Sequence, residues 1–163
     1  MLAVLSLSAL LSVQPPTDST LPPVEAHLVH LTEGRGVQIY KCTGEGKEFN
    51  WVLQAPEAKL FDPSTHKQVG THGAGPVWTW EDGSSVTGKV LAKSPSPDSA
   101  SIPWLLLSAT PSGERVGILS RVRLVRRSDT HGGEAPGTGC DAQHVGQSLR
   151  VPYTATYSFY RSE

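Results

Sequence analysis

The sequence is short of charge, and neither sign is in excess. Asp, Glu, Lys and Arg make up 18% of the chain, below the average of about 25% for globular domains, and the formal net charge is −1 at pH 7. Binding to nucleic acid relies on a basic surface, so we expect no nucleic-acid partner. The one basic cluster alternates with apolar residues, as on the solvated face of a strand, and comprises Arg121, Arg123, Arg126 and Arg127.

Apolar runs long enough to cross a membrane are also missing. Residues 1–13 are mostly apolar but fall short of the ~20 residues that a spanning helix needs, and they match the apolar centre of a signal peptide. We predict a signal peptide and Pro-rich tether in residues 1–23, a single all-β domain in residues 24–163, and a secreted or periplasmic protein without a membrane span after cleavage. Because no Lys or Arg precedes the run and no clean cleavage site follows it, a short N-terminal strand is the alternative interpretation.

Cysteine is rare. Cys42 and Cys140 are the only two, they lie 98 positions apart, and the local C-x-x-C pairs that hold metals are absent. Two lone cysteines in an exported protein usually pair, so export predicts a Cys42–Cys140 disulfide. Two separate buried thiols in a cytosolic protein are the alternative.

Helical periodicity is nearly absent, whereas 16 Gly and 13 Pro suit many short strands joined by turns. Asp82-Gly83 supplies the positive φ angles of a tight hairpin. Residues 102–109 form an apolar run that suits a central strand buried on both faces, and the last strand alternates Tyr153, Ala155, Tyr157 and Phe159 on one face. We therefore predict an antiparallel β-sandwich or β-barrel of about eight or nine strands with long Gly/Pro-rich loops.

Pro residues mark where the early strands should stop. Residues 50–54 predict a strand that ends at Ala55-Pro56, and residues 59–61 predict a short separate strand that ends at Asp62-Pro63.

Several motifs resemble those of an uncharacterised secreted family of bacteria and filamentous fungi, known as a domain of unknown function. They occur in the family's order between about residue 24 and residue 161: residues 36–42 (GVQIYKC), 73–76 (GAGP), 102–106 (IPWLL), 132–136 (GGEAP), 139–141 (GCD) and 151–160 (VPYTATYSFY). The resemblance implies export, a β-rich fold and no established activity. Some fungal members are labelled malate dehydrogenase, but this chain lacks a G-x-G-x-x-G between a strand and a helix, so we expect no nucleotide cofactor.

Chemistry-bearing residues concentrate in two Gly-rich segments, residues 70–76 and 128–144. The first contains His72, and the second contains His131, Glu134, Asp141 and His144. One interpretation groups His72 and His144, as metal ligands or as an acid–base pair, with Asp141 or Asp82. That grouping would make the protein a small metal-assisted or His/Asp-dependent hydrolase.

Aromatic residues support a second interpretation, a pocket or groove for a sugar or another small molecule. Its lining would come from Trp78, Trp80, Trp104 and Tyr153, with Tyr157 beside them. In a third interpretation the Gly-rich segments are turns of a scaffold. We expect a binding or structural module, with the hydrolase as the alternative.

Overall fold

Eight antiparallel strands in the described part of the chain close into a barrel, in which every strand pairs with its neighbours along the chain and β8 pairs with β1. The structure is a computed structural model, and it describes residues 17–162. The strands are β1 (His27–Glu45), β2 (Glu48–Phe61), β3 (Gln68–Gly73), β4 (Val77–Trp80), β5 (Ser85–Ser94), β6 (Trp104–Ser112), β7 (Leu124–Gly132) and β8 (Ser148–Arg161). The all-β prediction is confirmed, and of the two predicted architectures, sandwich and barrel, the structure has the barrel.

The alternation of β8 gives the barrel its interior. Tyr153, Ala155, Tyr157 and Phe159 are all buried, as the period of two predicts. They pack with inward residues of the other strands, including Leu60, Trp78, Trp80, Val86, Leu107, Ala109 and Val125. In β6, Leu106 and Leu107 lie on opposite faces and are both buried, in keeping with the predicted strand that is covered on two sides.

The prediction that a strand ends at Ala55-Pro56 is wrong. β2 runs through Pro56 to Phe61, and Pro56 lies opposite Gln38 of β1. A bulge between Ile39 and Tyr40 interrupts the register there. β2 pairs with β3 only over Ala58–Phe61, so the proline lies where the strand has no second neighbour and needs no backbone N–H.

One end of the barrel is closed by a 3-10 turn, Ile118–Arg121, between β6 and β7. Leu119 and Val122 enter the core, and both are fully buried. The β4–β5 hairpin at the predicted Asp82-Gly83 turn lies against it, with Gly83 at φ 85°. We call this the closed end.

The other end, which we call the open end, has walls of very unequal height. β1 and β2 have 19 and 14 residues, whereas β3 and β4 have 6 and 4. The β1–β2 hairpin therefore extends beyond the turn between β3 and β4. The β7–β8 loop (residues 133–147) packs on this extension, and the predicted disulfide joins Cys140 of the loop to Cys42 of β1.

The predicted tether is anchored at its described end. Arg126 of β7 donates a hydrogen bond to Asp18 at 2.7 Å, and the neighbouring Thr20 is fully buried. Residues 1–16, which contain the predicted signal peptide, lie outside the described part of the chain. Within residues 17–162 no helix is long and apolar enough to cross a membrane.

Candidate functional site

A cavity of about 280 Å³ opens at the open end, above the short β3–β4 hairpin and between β2 and β5. Its apolar walls come from three strands: Leu53 of β2, Val90 of β5, and Leu105 and Leu107 of β6. Leu53 and Val90 are 50% and 52% exposed, so they form the rim, whereas Leu107 is buried at the bottom. The polar lining residues are Gln38, Gln54, His72, Arg127 and Tyr157, together with the indole N–H of Trp78.

Gln38 is the most unusual of these residues. Its side chain is 1% exposed, and neither Nε2 nor Oε1 has a hydrogen-bond partner among the described residues. It shares the inner face of β1 with Tyr40 and Cys42, and the Tyr40 hydroxyl donates to the backbone O of Gly133 at 2.7 Å. An unpaired buried amide costs about 1–3 kcal/mol, so folding alone gives no reason for a glutamine here.

His72 and Trp78 form one stacked unit in the cavity. Their rings are 8° from parallel with centroids 4.3 Å apart. His72 Nδ1 lies 2.9 Å from the backbone O of Val77, and a carbonyl only accepts, so Nδ1 carries the proton. Burial lowers the pKa of His72 to about 4, so the ring is neutral near pH 7 and Nε2 is an acceptor. The Trp78 Nε1 has no partner within the described part of the chain.

Arg127 brings a positive charge to the cavity. Its Nε and Nη2 both donate to the backbone O of Pro103, at 3.1 and 2.8 Å. Burial raises the pKa of Tyr157, and the Arg127 guanidinium opposes that rise, as expected for a cation near the phenol. The interpretation of the four arginines as one solvated face is therefore wrong for Arg127. Consecutive strand residues point to opposite faces, so Arg126 lies outside while Arg127 lines the interior.

Of the four predicted ligand-binding aromatics, Trp78 lines the cavity. Trp80 lies deeper, edge-on to Phe159 with centroids 6.1 Å apart. Trp104 is on the outer face of β6, with the Arg126 guanidinium 5.3 Å from its ring centroid. Tyr153 is behind the cavity wall, and its hydroxyl lies 2.9 Å from that of Tyr157.

The residues of the predicted acid–base or metal site are spread over three regions. His144 and Asp141 meet in the β7–β8 loop, with Nδ1 and Oδ1 2.6 Å apart; Asp141 is exposed and His144 is partly exposed. Hydrogen bonding from His144 lowers the pKa of Asp141. His72 lines the cavity and Asp82 lies at the closed end. No group of three or more His, Cys, Asp or Glu side chains in the described residues could hold a metal ion.

Sequence reasoning missed Gln38 and the role of Arg127, although both left a signal. Gln38 occupies a position of the inward face of β1 that it shares with Tyr40 and Cys42, both buried. Consecutive residues of a strand point to opposite faces, so Arg126 and Arg127 cannot lie on the same solvated face. A polar residue at an inward strand position is the signal that would have identified the cavity.

Comparison with known proteins identifies a family, but the description of that family names no activity. Residues 22–161 match the family described as "Protein of unknown function (DUF3455)". No curated protein and no solved structure matches the chain.

Proposed function

The chain belongs to the DUF3455 family, whose function is unknown, so its activity has to be argued from the barrel itself. We propose that the protein is a binding module that holds a small, mainly apolar molecule in the open end of the barrel. The observation that carries this proposal is the buried Gln38 amide, which has no partner in the described chain and lines a cavity with apolar walls.

The cavity has the composition of a small-molecule site. Such sites are concave, mostly apolar, and contain a few placed polar groups that orient the ligand. Here Leu53, Val90, Leu105 and Leu107 supply the apolar surface, and Gln38 supplies both a donor and an acceptor. Buried polar groups that lower stability and form no bond within the protein are typical of binding sites.

The position of the cavity also supports binding. The closed end is filled by Leu119 and Val122, so a ligand would enter from the open end only. At that end the β3–β4 hairpin is short, and the exposed Leu53 and Val90 present an apolar rim. An apolar molecule would therefore meet apolar side chains before it reaches the polar groups inside.

The test is titration with a neutral apolar dye, N-phenyl-1-naphthylamine, followed by its fluorescence. We expect saturable binding with one site per chain. Val90→Trp should fill the rim and weaken binding by about tenfold or more, since it removes most of the apolar contact. Val116→Trp is the matched control, because Val116 is 89% exposed and lies near the closed end. Absence of saturable binding, or equal binding by the two variants, would contradict the proposal.

Export is part of the same proposal. The Cys42–Cys140 bond would persist in an oxidising compartment. Expression of the full chain in a bacterium, followed by mass spectrometry of the periplasmic fraction, should recover the oxidised protein without its first residues. Recovery of full-length protein in the cytoplasm alone would argue against export.

A further inference from the structure

Charge in the cavity is unbalanced. Arg127 is the only Lys or Arg among the described residues that line it, and none of these residues is an Asp or Glu. His72 contributes no charge near pH 7, because its burial favours the neutral ring. The cavity therefore has a net positive charge within apolar walls.

Arg127 also has no ion-pair partner among the described residues. The other partly buried arginine, Arg126, pairs with Asp18 at 2.7 Å. None of the ion pairs found among residues 17–162 includes Arg127. Its hydrogen-bond partners, the backbone O of Pro103 and the Tyr157 hydroxyl, are both neutral, and five N–H donors leave the guanidinium further capacity to donate. The half-buried guanidinium thus lines the cavity without an ion-pair partner in the described residues, and it is suited to an anionic ligand.

The other polar groups of the cavity, together with its single positive charge, indicate which class of anion would fit. Gln38 Nε2 and Trp78 Nε1 are further donors without a partner in the described residues, and both line the same cavity. One cation balances a single negative charge, whereas a phosphate monoester would bring close to two. The planar guanidinium also matches a carboxylate in geometry.

We propose that the ligand is a small amphipathic monocarboxylic acid, whose carboxylate pairs with Arg127 while its apolar part lies between Leu53, Val90, Leu105 and Leu107. This inference rests on the proposed function and adds the chemical class of the ligand. Gln38 and Trp78 supply additional donors from the same cavity. The volume of about 280 Å³ suits a medium-chain or aromatic acid and is small for a long-chain lipid.

The test compares acids with their neutral amides of nearly the same shape. Octanoic acid is paired with octanamide, and 2-naphthoic acid with 2-naphthamide, each as a competitor of N-phenyl-1-naphthylamine. We expect each acid to bind the wild type about tenfold or more tightly than its amide, since hydrogen bonds to charged groups contribute roughly 1.5–3 kcal/mol, or about 10- to 150-fold.

Variants then test whether Arg127 is the residue that causes the preference for the acid. Arg127→Met should abolish the preference for the acid and leave amide binding unchanged, and Arg127→Lys should restore part of the preference. Arg121→Met removes the same charge from an exposed position and should have no effect. If Arg127→Met fails to fold, Arg127→Lys and the acid-to-amide ratio of the wild type decide the question.

The outcomes separate the two proposals. Equal binding of acid and amide by the wild type would overturn the carboxylate inference and leave the binding function intact. Equal loss of acid binding in Arg121→Met would overturn it too, because the effect would then come from overall charge. If the dye, the acids and the amides all fail to bind the wild type, the binding function itself is wrong.

Discussion

The two ends of the barrel differ in how their polar groups are hydrogen-bonded. At the closed end the polar groups around the 3-10 turn bond to one another. Ser84 Oγ donates to Asp82 at 2.6 Å, the Ile118 N–H donates to Asp82 at 2.8 Å, and the Leu119 N–H donates to Ser84 at 3.1 Å. These bonds hold a fully buried Leu119 in place.

At the open end, some of the buried polar side chains that line the cavity are left unpaired within the described chain. Gln38 and Trp78 are the examples, and the described residues give them nothing to bond to. The described residues satisfy the polar groups around the 3-10 turn but not these two, and Thr32 Oγ1 and Trp104 Nε1 are also unpaired although they do not line the cavity. What sets Gln38 and Trp78 apart is their position in a cavity with apolar walls, and that position is the basis of the proposed binding site.

The disulfide should produce the largest effect, because it fixes the β7–β8 loop to the open end. Cys140→Ser should lower the free energy of unfolding by up to about 4–5 kcal/mol, the value of the chain-entropy model for a loop of this length. Chemical denaturation measures it. Reductant should destabilise the wild type to the same degree and leave the variant unchanged, and equal stability of the two proteins would contradict the prediction.

Leu119→Ala tests the closed end. Removing this fully buried side chain should cost about 3 kcal/mol, because a cavity remains in the core. The dye should bind the folded variant as before, since Leu119 does not line the cavity. Ile118→Ala is the control: Ile118 is 41% exposed, and its truncation should cost clearly less. Loss of dye binding at full folding would show that the two ends are coupled.

Gln38→Met tests the open end. Removing an unpaired buried amide should leave stability unchanged or raise it by about 1 kcal/mol, and it should weaken the binding of the acids. Thr32→Val is the matched control, because the Thr32 Oγ1 is also buried and unpartnered among described residues but does not line the cavity. It should raise stability without changing affinity. A large loss of stability in Gln38→Met would show that the glutamine is structural.

Asp82 should give the smallest effect, a dependence on pH. Hydrogen bonds from the Ser84 hydroxyl and the Ile118 N–H lower the pKa of Asp82 below its ordinary value. A carboxyl with a lowered pKa in the folded state stabilises above its unfolded pKa and loses this effect as the pH falls through its folded pKa. Between about pH 5 and 2 the wild type should therefore lose more stability than Asp82→Asn. The difference should stay below about 1 kcal/mol because the side chain is exposed, and identical pH profiles would contradict it.

Local patterns predicted the elements that depend on near neighbours. The alternation of Tyr153 to Phe159 identified the inward face of β8, and Asp82-Gly83 identified a hairpin whose turn needs a positive φ. The Cys42–Cys140 pairing followed from the cysteine count and the expected compartment. These features are visible because period, turn geometry and redox chemistry act over short stretches or on few residues.

The cavity could not be predicted in the same way because it depends on unequal strand lengths. Whether Trp78, Trp80 or Trp104 faces a ligand is decided by depth in the barrel and by which face is outside, and both follow only from closure. The prediction of a strand end at Pro56 was wrong because a proline interrupts a strand only where its missing N–H is needed for pairing. At Pro56, β2 has a neighbour on one side only, and the sequence does not show this. That the domain spans residues 24–163 as one unit stays a prediction.

The low wall beside the cavity also leaves part of a strand edge open. Residues 48–57 of β2 pair with β1 on one side only, within the described chain, and Val52 and Leu53 there are about half exposed. Such an edge can recruit a strand from another chain and start aggregation. Pro56 brings no backbone N–H to this segment, and a proline in an edge strand disfavours such pairing. The proline that predicted a strand end thus lies on the unpaired edge beside the cavity, where it disfavours self-association.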